Sequence, residues 1–167
     1  NINDHIYVLG KTDDSMGGSE FSKIFGFENN NVPKVEQNIV KTNYCDFSRA
    51  NENKLISSAI SVGLGGLAVS LAKMSIASQK GLKINLKNIN TSKDNISNKH
   101  ILFSESQGRI IVTVNSAKRK KFENCFKKNQ LSYIGKVIKR KKVIYSMNER
   151  DKFEIDLESL NRKYRKD

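Results

Sequence analysis

The sequence has no tryptophan, one proline and two cysteines, and no uninterrupted apolar run of the roughly 18 residues that a membrane helix requires. A membrane-spanning helix is therefore excluded. The opening residues NINDHIYVLG also lack the basic start, apolar stretch and small-residue cleavage site of a secretory signal, so a cytoplasmic location is expected. Cys45 and Cys125 have no histidine at ligand spacing, which argues against a disulfide scaffold and a zinc site and leaves them as small core or surface residues. His5 and His100 each stand apart from other candidate ligands. Neither a P-loop lysine motif nor a nucleophile-elbow serine is present. The residues alone assign no catalytic group and no metal site.

What remains is enough for one packed domain. The 167 residues are 37% apolar and 28% charged, with 8 Phe and 5 Tyr spread along them, unlike an aromatic-poor disordered chain. Residues 1–167 are expected to form a single domain, and a start at Asn1 just ahead of an apolar run reads as a piece of something longer. The formal charge of +13 is uneven. Residues 1–60 carry 6 basic and 8 acidic side chains, residues 61–115 carry 7 and 2, and residues 116–167 carry 17 and 7. Clustered basic residues bind phosphate backbones through counterion release. Here the excess is mostly lysine in a chain also crowded with Asn and Ile, a bias that favours a solvated lysine-rich surface over a nucleic-acid site.

Ile6–Leu9, closed by Gly10, predicts a strand followed by a loop over 11–18. Ser19 is placed to cap a helix through about Phe25, with Phe21, Ile24 and Phe25 at helical spacing. After the polar stretch Glu28–Asn31 and Pro33, the positions of Val35, Ile39, Val40 and Phe47 predict a helix over 34–53. Leu55–Val62 reads as a strand ending in Gly63, Gly65 and Gly66. Leu67, Leu71, Met74, Ala68, Ala72 and Ile76 share one broad face and predict a helix over 66–79. Leu82–Leu86 alternates as a half-buried strand, 91–99 reads as a polar loop, and Arg109–Val114 is a strand. Ser116 is expected to cap a helix to about Lys128, with Phe122, Cys125 and Phe126 inward. Strands over 133–138, 142–146 and 153–155 should form a C-terminal meander, and 157–164 a last helix. The sum is an α+β domain, a mixed β-sheet packed with helices.

Three loops carry what chemistry there is. Gly17, Gly18 and Ser19 precede a helix, near Asp13, Asp14 and Glu20, and a glycine pair there can present backbone N–H groups to an anion. Gly63–Gly66 is a second possible nest, although close packing of a helix on a strand needs small residues equally well. Ser104, Glu105, Ser106, Gln107 and Arg109 crowd four hydrogen-bonding side chains and a guanidinium into one turn before a buried strand. That density exceeds what a turn requires.

The strings YVLGKTDDSMGGSEF, SAISVGLGGLAVSLAKM and LFSESQGRIIVTV, in this order and with a closing IGKVI, resemble the last domain of phosphoribosylformylglycinamidine synthases. The resemblance implies the superfamily of aminoimidazole ribonucleotide synthetase, whose C-terminal domains pack a mixed sheet against helices. It implies an ATP-dependent ligase of purine synthesis that turns formylglycinamide ribonucleotide into the amidine with ammonia from a glutaminase partner. In that family nucleotide and magnesium are held mainly by an N-terminal type of domain, which this chain lacks, so none is expected here and the chain alone should be inactive. The Ser-Glu-Ser-Gln turn of the family's first C-terminal copy helps bind the ribonucleotide. This chain resembles the second copy, which makes Glu105, Ser106 and Gln107 candidates for a vestigial anion or substrate-like site. Where the family carries His-Asp and an acid before Gly-Gly-Leu, this sequence has Ile60, Ser61 and Leu64. The exchange removes ionisable groups and strengthens the structural reading of Gly65 and Gly66. Two alternatives stay open, a basic nucleic-acid-binding module and another branch of the superfamily, such as the selenophosphate or hydrogenase-maturation enzymes.

Overall fold

The computed structural model describes residues 1–26, 31–127, 130–147 and 151–165. In chain order these form β1 (His5–Leu9), α1 (Glu20–Phe25), α2 (Gln37–Glu52), β2 (Ser58–Ser61), α3 (Gly66–Ser78), β3 (Gly81–Asn85), α4 (Asn98–Phe103), β4 (Ile110–Val114), α5 (Arg119–Glu123), β5 (Leu131–Ile138), β6 (Lys142–Ser146), β7 (Lys152–Asp156) and α6 (Leu157–Tyr164). The strands make one seven-stranded sheet in the order β2-β4-β1-β5-β3-β6-β7. Among these described strands only β3 and β6 are parallel neighbours; the other pairs are antiparallel.

β1 and β4 are buried at every position. Strands this apolar on both sides need cover on both faces. On one face Ile6, Val8, Ile84, Ile111 and Ile134 meet Leu67 and Leu71 of α3 and Ile101 and Leu102 of α4. On the other, Tyr7, Leu9, Val112 and Val114 meet Ala50 of α2 and Phe122 of α5. Each fully buried aliphatic side chain contributes about 1.5–3 kcal/mol relative to exposure, so α3 is held mainly by its Leu67–Leu71 face.

Several elements differ from the sequence expectation. β5, β6 and β7 are not a meander, because β3 inserts between β5 and β6. Glycine makes the insertion possible. A Cβ on Gly81 would sit 1.8 Å from the Arg140 carbonyl oxygen, and one on Gly135 would sit 1.9 Å from the Lys83 carbonyl oxygen. Gly135 also faces Ile6 where the β1–β5 register slips by one residue, a bulge that tightens the local twist. The strand expected over 55–62 is paired only over Ser58–Ser61, at the sheet edge. The expected polar loop ends early, because 98–103 form α4. The helix at Ser116 is instead a 3₁₀ turn over Ser116–Lys118, capped by Asn115 through its side chain to Ala117 N, and then the short α5. Its expected end at Lys128, and the polar residues Glu28, Asn29 and Asn30, lie outside the described residues. α2 buries Asn43, Asp46 and Ala50, while Val35 and Ile39 stay exposed.

Candidate functional site

The three loops singled out in the sequence meet at one end of the sheet, and a single atom ties them. Glu105 Oε1 accepts the Glu20 N–H at 2.8 Å and the Gly65 N–H at 2.9 Å. Glu20 opens α1 and Gly65 precedes α3, so one carboxylate oxygen holds two helix starts that are distant in sequence. Hydrogen bonds to an ionised acceptor are about twice as strong as neutral ones.

Around that atom the turn is bolted down from beneath. Arg109 is 1% exposed. Its Nε donates to the Ser106 carbonyl, one terminal nitrogen to Thr12 Oγ1 at 2.8 Å, and the other to the Ser104 carbonyl. All three acceptors are neutral. Burial without a carboxylate partner draws its pKa down to about 10, which still leaves it charged near pH 7. Ser104 Oγ donates to the Ser15 carbonyl and lies 2.7 Å from Ser106 Oγ, which in turn accepts the Asp13 N–H at 2.7 Å. Gln107 alone in the turn is exposed, its Nε2 donating to the Glu105 carbonyl.

The glycine loops are closed by internal bonds. Gly17 N donates to the Asn31 carbonyl and Ser19 N to that of Met16, and Ser19 Oγ accepts the Ser22 N–H as the α1 cap. Gly18, at φ +71°, is exposed with open space where a Cβ would stand. A Cβ on Gly66 would sit 2.6 Å from the Ser104 carbonyl oxygen, so the close-packing reading describes this residue. Ile60 is half-buried against the core, Ser61 is exposed and Leu64 is 66% exposed.

Thus the structure brings Gly17, Gly18, Ser19, Ser104, Glu105, Ser106, Gln107 and Arg109 into one neighbourhood: the turn residues Ser104, Ser106, Gln107 and Arg109 bond within the turn, Glu105 reaches Glu20 and Gly65, and Gly17 and Ser19 bond Asn31, Met16 and Ser22. Thr12 was missed by the sequence reading. A lone threonine after a strand gives no signal, and its role follows from Arg109, 97 residues away. Among the described residues no three His, Cys, Asp or Glu side chains gather as metal ligands. Asp13 accepts from Ser15 Oγ and Asp14 pairs with Lys93, while the Gly63–Gly66 loop offers only Leu64 between its glycines. This donor set does not fit a magnesium-bound nucleotide. No helix is long and apolar enough to cross a membrane among the described residues.

The family described as AIR synthase related protein, C-terminal domain, matches residues 1–148. The chain belongs to that family. Its sequence relatives include the phosphoribosylformylglycinamidine synthase subunit PurL of Methanocaldococcus jannaschii, 32% identical over 162 residues, which is 96% of this chain and 21% of the relative. The PurL of Thermococcus sibiricus is 32% identical over 134 residues, 80% of this chain and 18% of that one. The chain therefore spans about a fifth of the length of these relatives. Among solved structures, Thermotoga maritima PurL complexed with ATP superposes with a TM-score of 0.79 at 18% identity, over 96% of this chain and 26% of that one. Escherichia coli HypE, a hydrogenase maturation protein, superposes at 0.67 with 14% identity, over 94% of this chain and 50% of its own.

Proposed function

We infer that the chain is the C-terminal-type domain of a phosphoribosylformylglycinamidine synthase, a ligase that uses ATP to convert formylglycinamide ribonucleotide to the amidine with glutamine-derived ammonia. The observation that carries this reading is the run of PurL relatives across 96% of the chain, at 32% identity in the archaeal example, together with the three PurL-like loops tied by Glu105. The domain's contribution is architectural: Glu105 and Arg109 hold the loops that face the rest of the synthase. Nucleotide and magnesium belong to N-terminal-type domains outside this chain, and ammonia comes from a glutaminase subunit or domain. The working compartment is the cytoplasm. A structure of the Thermotoga PurLQS assembly places a related PurL among partner subunits, which supports an assembled enzyme.

Phosphoryl transfer needs positioned nucleotide, metal and acceptor together. The isolated chain should therefore show no amidine formation from formylglycinamide ribonucleotide, ATP, magnesium and ammonium. A chimera in which it replaces the matching segment of Methanocaldococcus PurL should turn over. Turnover by the chain alone, or a folded chimera without activity, would overturn the reading.

A further inference from the structure

Strand β7 forms one edge of the sheet, pairs only with β6 among the described strands, and is exposed at all five residues. It holds no proline and keeps an unbroken register with β6, so it lacks two of the devices by which edge strands discourage further pairing. In the β6–β7 ladder the Leu157 N–H donates to the Lys141 carbonyl and the Met147 N–H to the Asp151 carbonyl. Hydrogen-bonded pairs alternate along an antiparallel ladder, so Phe153 and Ile155 commit their backbone groups to Tyr145 and Val143. The N–H and C=O groups of Lys152, Glu154 and Asp156 therefore point away from the sheet. The opposite edge, β2, carries no charged residue.

Read in reverse, the edge sequence Lys-Phe-Glu-Ile-Asp is complementary to itself. When two copies of β7 run antiparallel about Glu154, the outward-pointing residues of one meet those of the other as hydrogen-bonded pairs. In this register Lys152 stands opposite Asp156 of the second copy, and Phe153 opposite Ile155, at each end of the pairing. Phe153 and Ile155 are 46% and 37% exposed, and Phe153 stacks on Tyr145 with ring centroids 4.8 Å apart, so the new contacts prolong an existing apolar face. Aromatic with β-branched and opposite-charge neighbours are the cross-strand pairs that stabilise a ladder. Like charges meet only where Glu154 faces its own copy, and each Glu154 is already paired with Arg140 and Lys142 of its own sheet.

We propose that β7 is a self-recognition edge, through which two copies of the chain join antiparallel about Glu154 into one continuous sheet. The family match ends at residue 148, ahead of β7, so the pairing does not rest on the synthase reading. Five residues a side make a small interface, and a dissociation constant on the order of 100 µM is expected. The test is sedimentation velocity from about 10 µM to about 1 mM chain in about 150 mM salt, where screening beyond about 8 Å limits the repulsion between two chains of charge +13. The mass should approach that of two chains at the highest concentration and rise no further. Glu154→Pro removes an outward N–H but no bond to β6, so this variant should keep its circular dichroism spectrum and stay monomeric throughout. Glu154→Gln retains the N–H and should dimerise within about threefold of the parent. Lys152→Glu, at an exposed side chain, sets two carboxylates against each other at each end and should weaken dimerisation about tenfold. A parent chain or Glu154→Gln variant that stays monomeric, a mass that grows past the dimer as β7 joins β2 head to tail, or a dimer undiminished by Lys152→Glu or by folded Glu154→Pro overturns the proposal. Should Glu154→Pro lose its native spectrum, Lys152→Glu decides alone.

Discussion

Glu105 and Arg109 divide the labour of one turn between opposite charges. Glu105 reaches outward to the backbones of α1 and α3, and Arg109 reaches inward to three neutral oxygens. Removing either leaves groups that water reaches poorly. Glu105→Ala is expected to lower stability by about 2 kcal/mol in urea unfolding, with Glu105→Gln clearly milder because an acceptor oxygen survives. An equal loss in the two variants would show that the Glu20 and Gly65 N–H groups find other acceptors. Buried His5 sets a pH response. It is 5% exposed with Nδ1 unpartnered among the described residues, and burial, followed by the nearby positive charges of Arg119 and Lys136, lowers its pKa below 6.5. The folded state thus binds the proton less readily than the unfolded chain, so stability is full above pH 6.5 and is lost as pH falls below it. His5→Phe keeps the ring contact with Tyr133 and should lose less stability than the parent between pH 7.5 and pH 5.5, measured by urea midpoints. The same pH dependence in both proteins would exclude His5 as its source.

Helix α3 and strands β1 and β4 were legible from periodicity because their burial is decided locally, by runs such as Ile110–Val114. The place of β3 was not. Alternating apolar residues in 82–86 identify a strand but not its neighbours, and a short Ile138-to-Lys142 connection reads as a hairpin from local rules alone. What decides otherwise is the absence of side chains at Gly81 and Gly135, where backbone carbonyls come too close for any Cβ. The site had the same division. Its loops were readable as crowded polar motifs, whereas the Glu105 bridge joins Glu20, Gly65 and Glu105 across separations of 85 and 40 residues. Nor could sequence spacing give the exposure of Ile24 and Phe25, which helical spacing alone leaves undecided. The β3 insertion gives a direct test at this level. Gly135→Ala should destabilise by about 3 kcal/mol, because the methyl meets the Lys83 backbone, which cannot rotate away as a side chain would. Gly18→Ala, where the added methyl meets only open space, should cost far less and chiefly through its positive φ. Comparable losses at the two positions, in the same denaturation experiment, would mean that the β5–β3 contact yields freely.

The chain's charge of +13 and its fold pull a functional reading in different directions, and the arrangement of the side chains decides between them. Single-stranded nucleic acids are gripped by aromatic faces interleaved with cations. Here Tyr7 and Phe122 are buried within the second core, and Tyr133 is covered by the Arg119 guanidinium at 5.0 Å from its ring centroid. A run of four basic residues, 139–142, lies elsewhere, and there Arg140 and Lys142 pair with Glu154, and Lys142 also with Asp156, on the neighbouring strand. Such a surface attracts polyanions only through their counterion atmosphere. The chain should therefore bind duplex and single-stranded DNA alike at low salt, and lose most of that affinity between about 50 and 200 mM salt, with dissociation constants weaker than about 10 µM at the upper end. Fluorescence anisotropy with a labelled duplex and its single strand at both salt concentrations measures this. Submicromolar binding that persists at 200 mM, or a marked preference for one form, would require a built recognition face and would restore the nucleic-acid reading. The expected collapse of affinity instead leaves the lysines as a solvating coat around a domain whose organised chemistry is concentrated where its three loops meet.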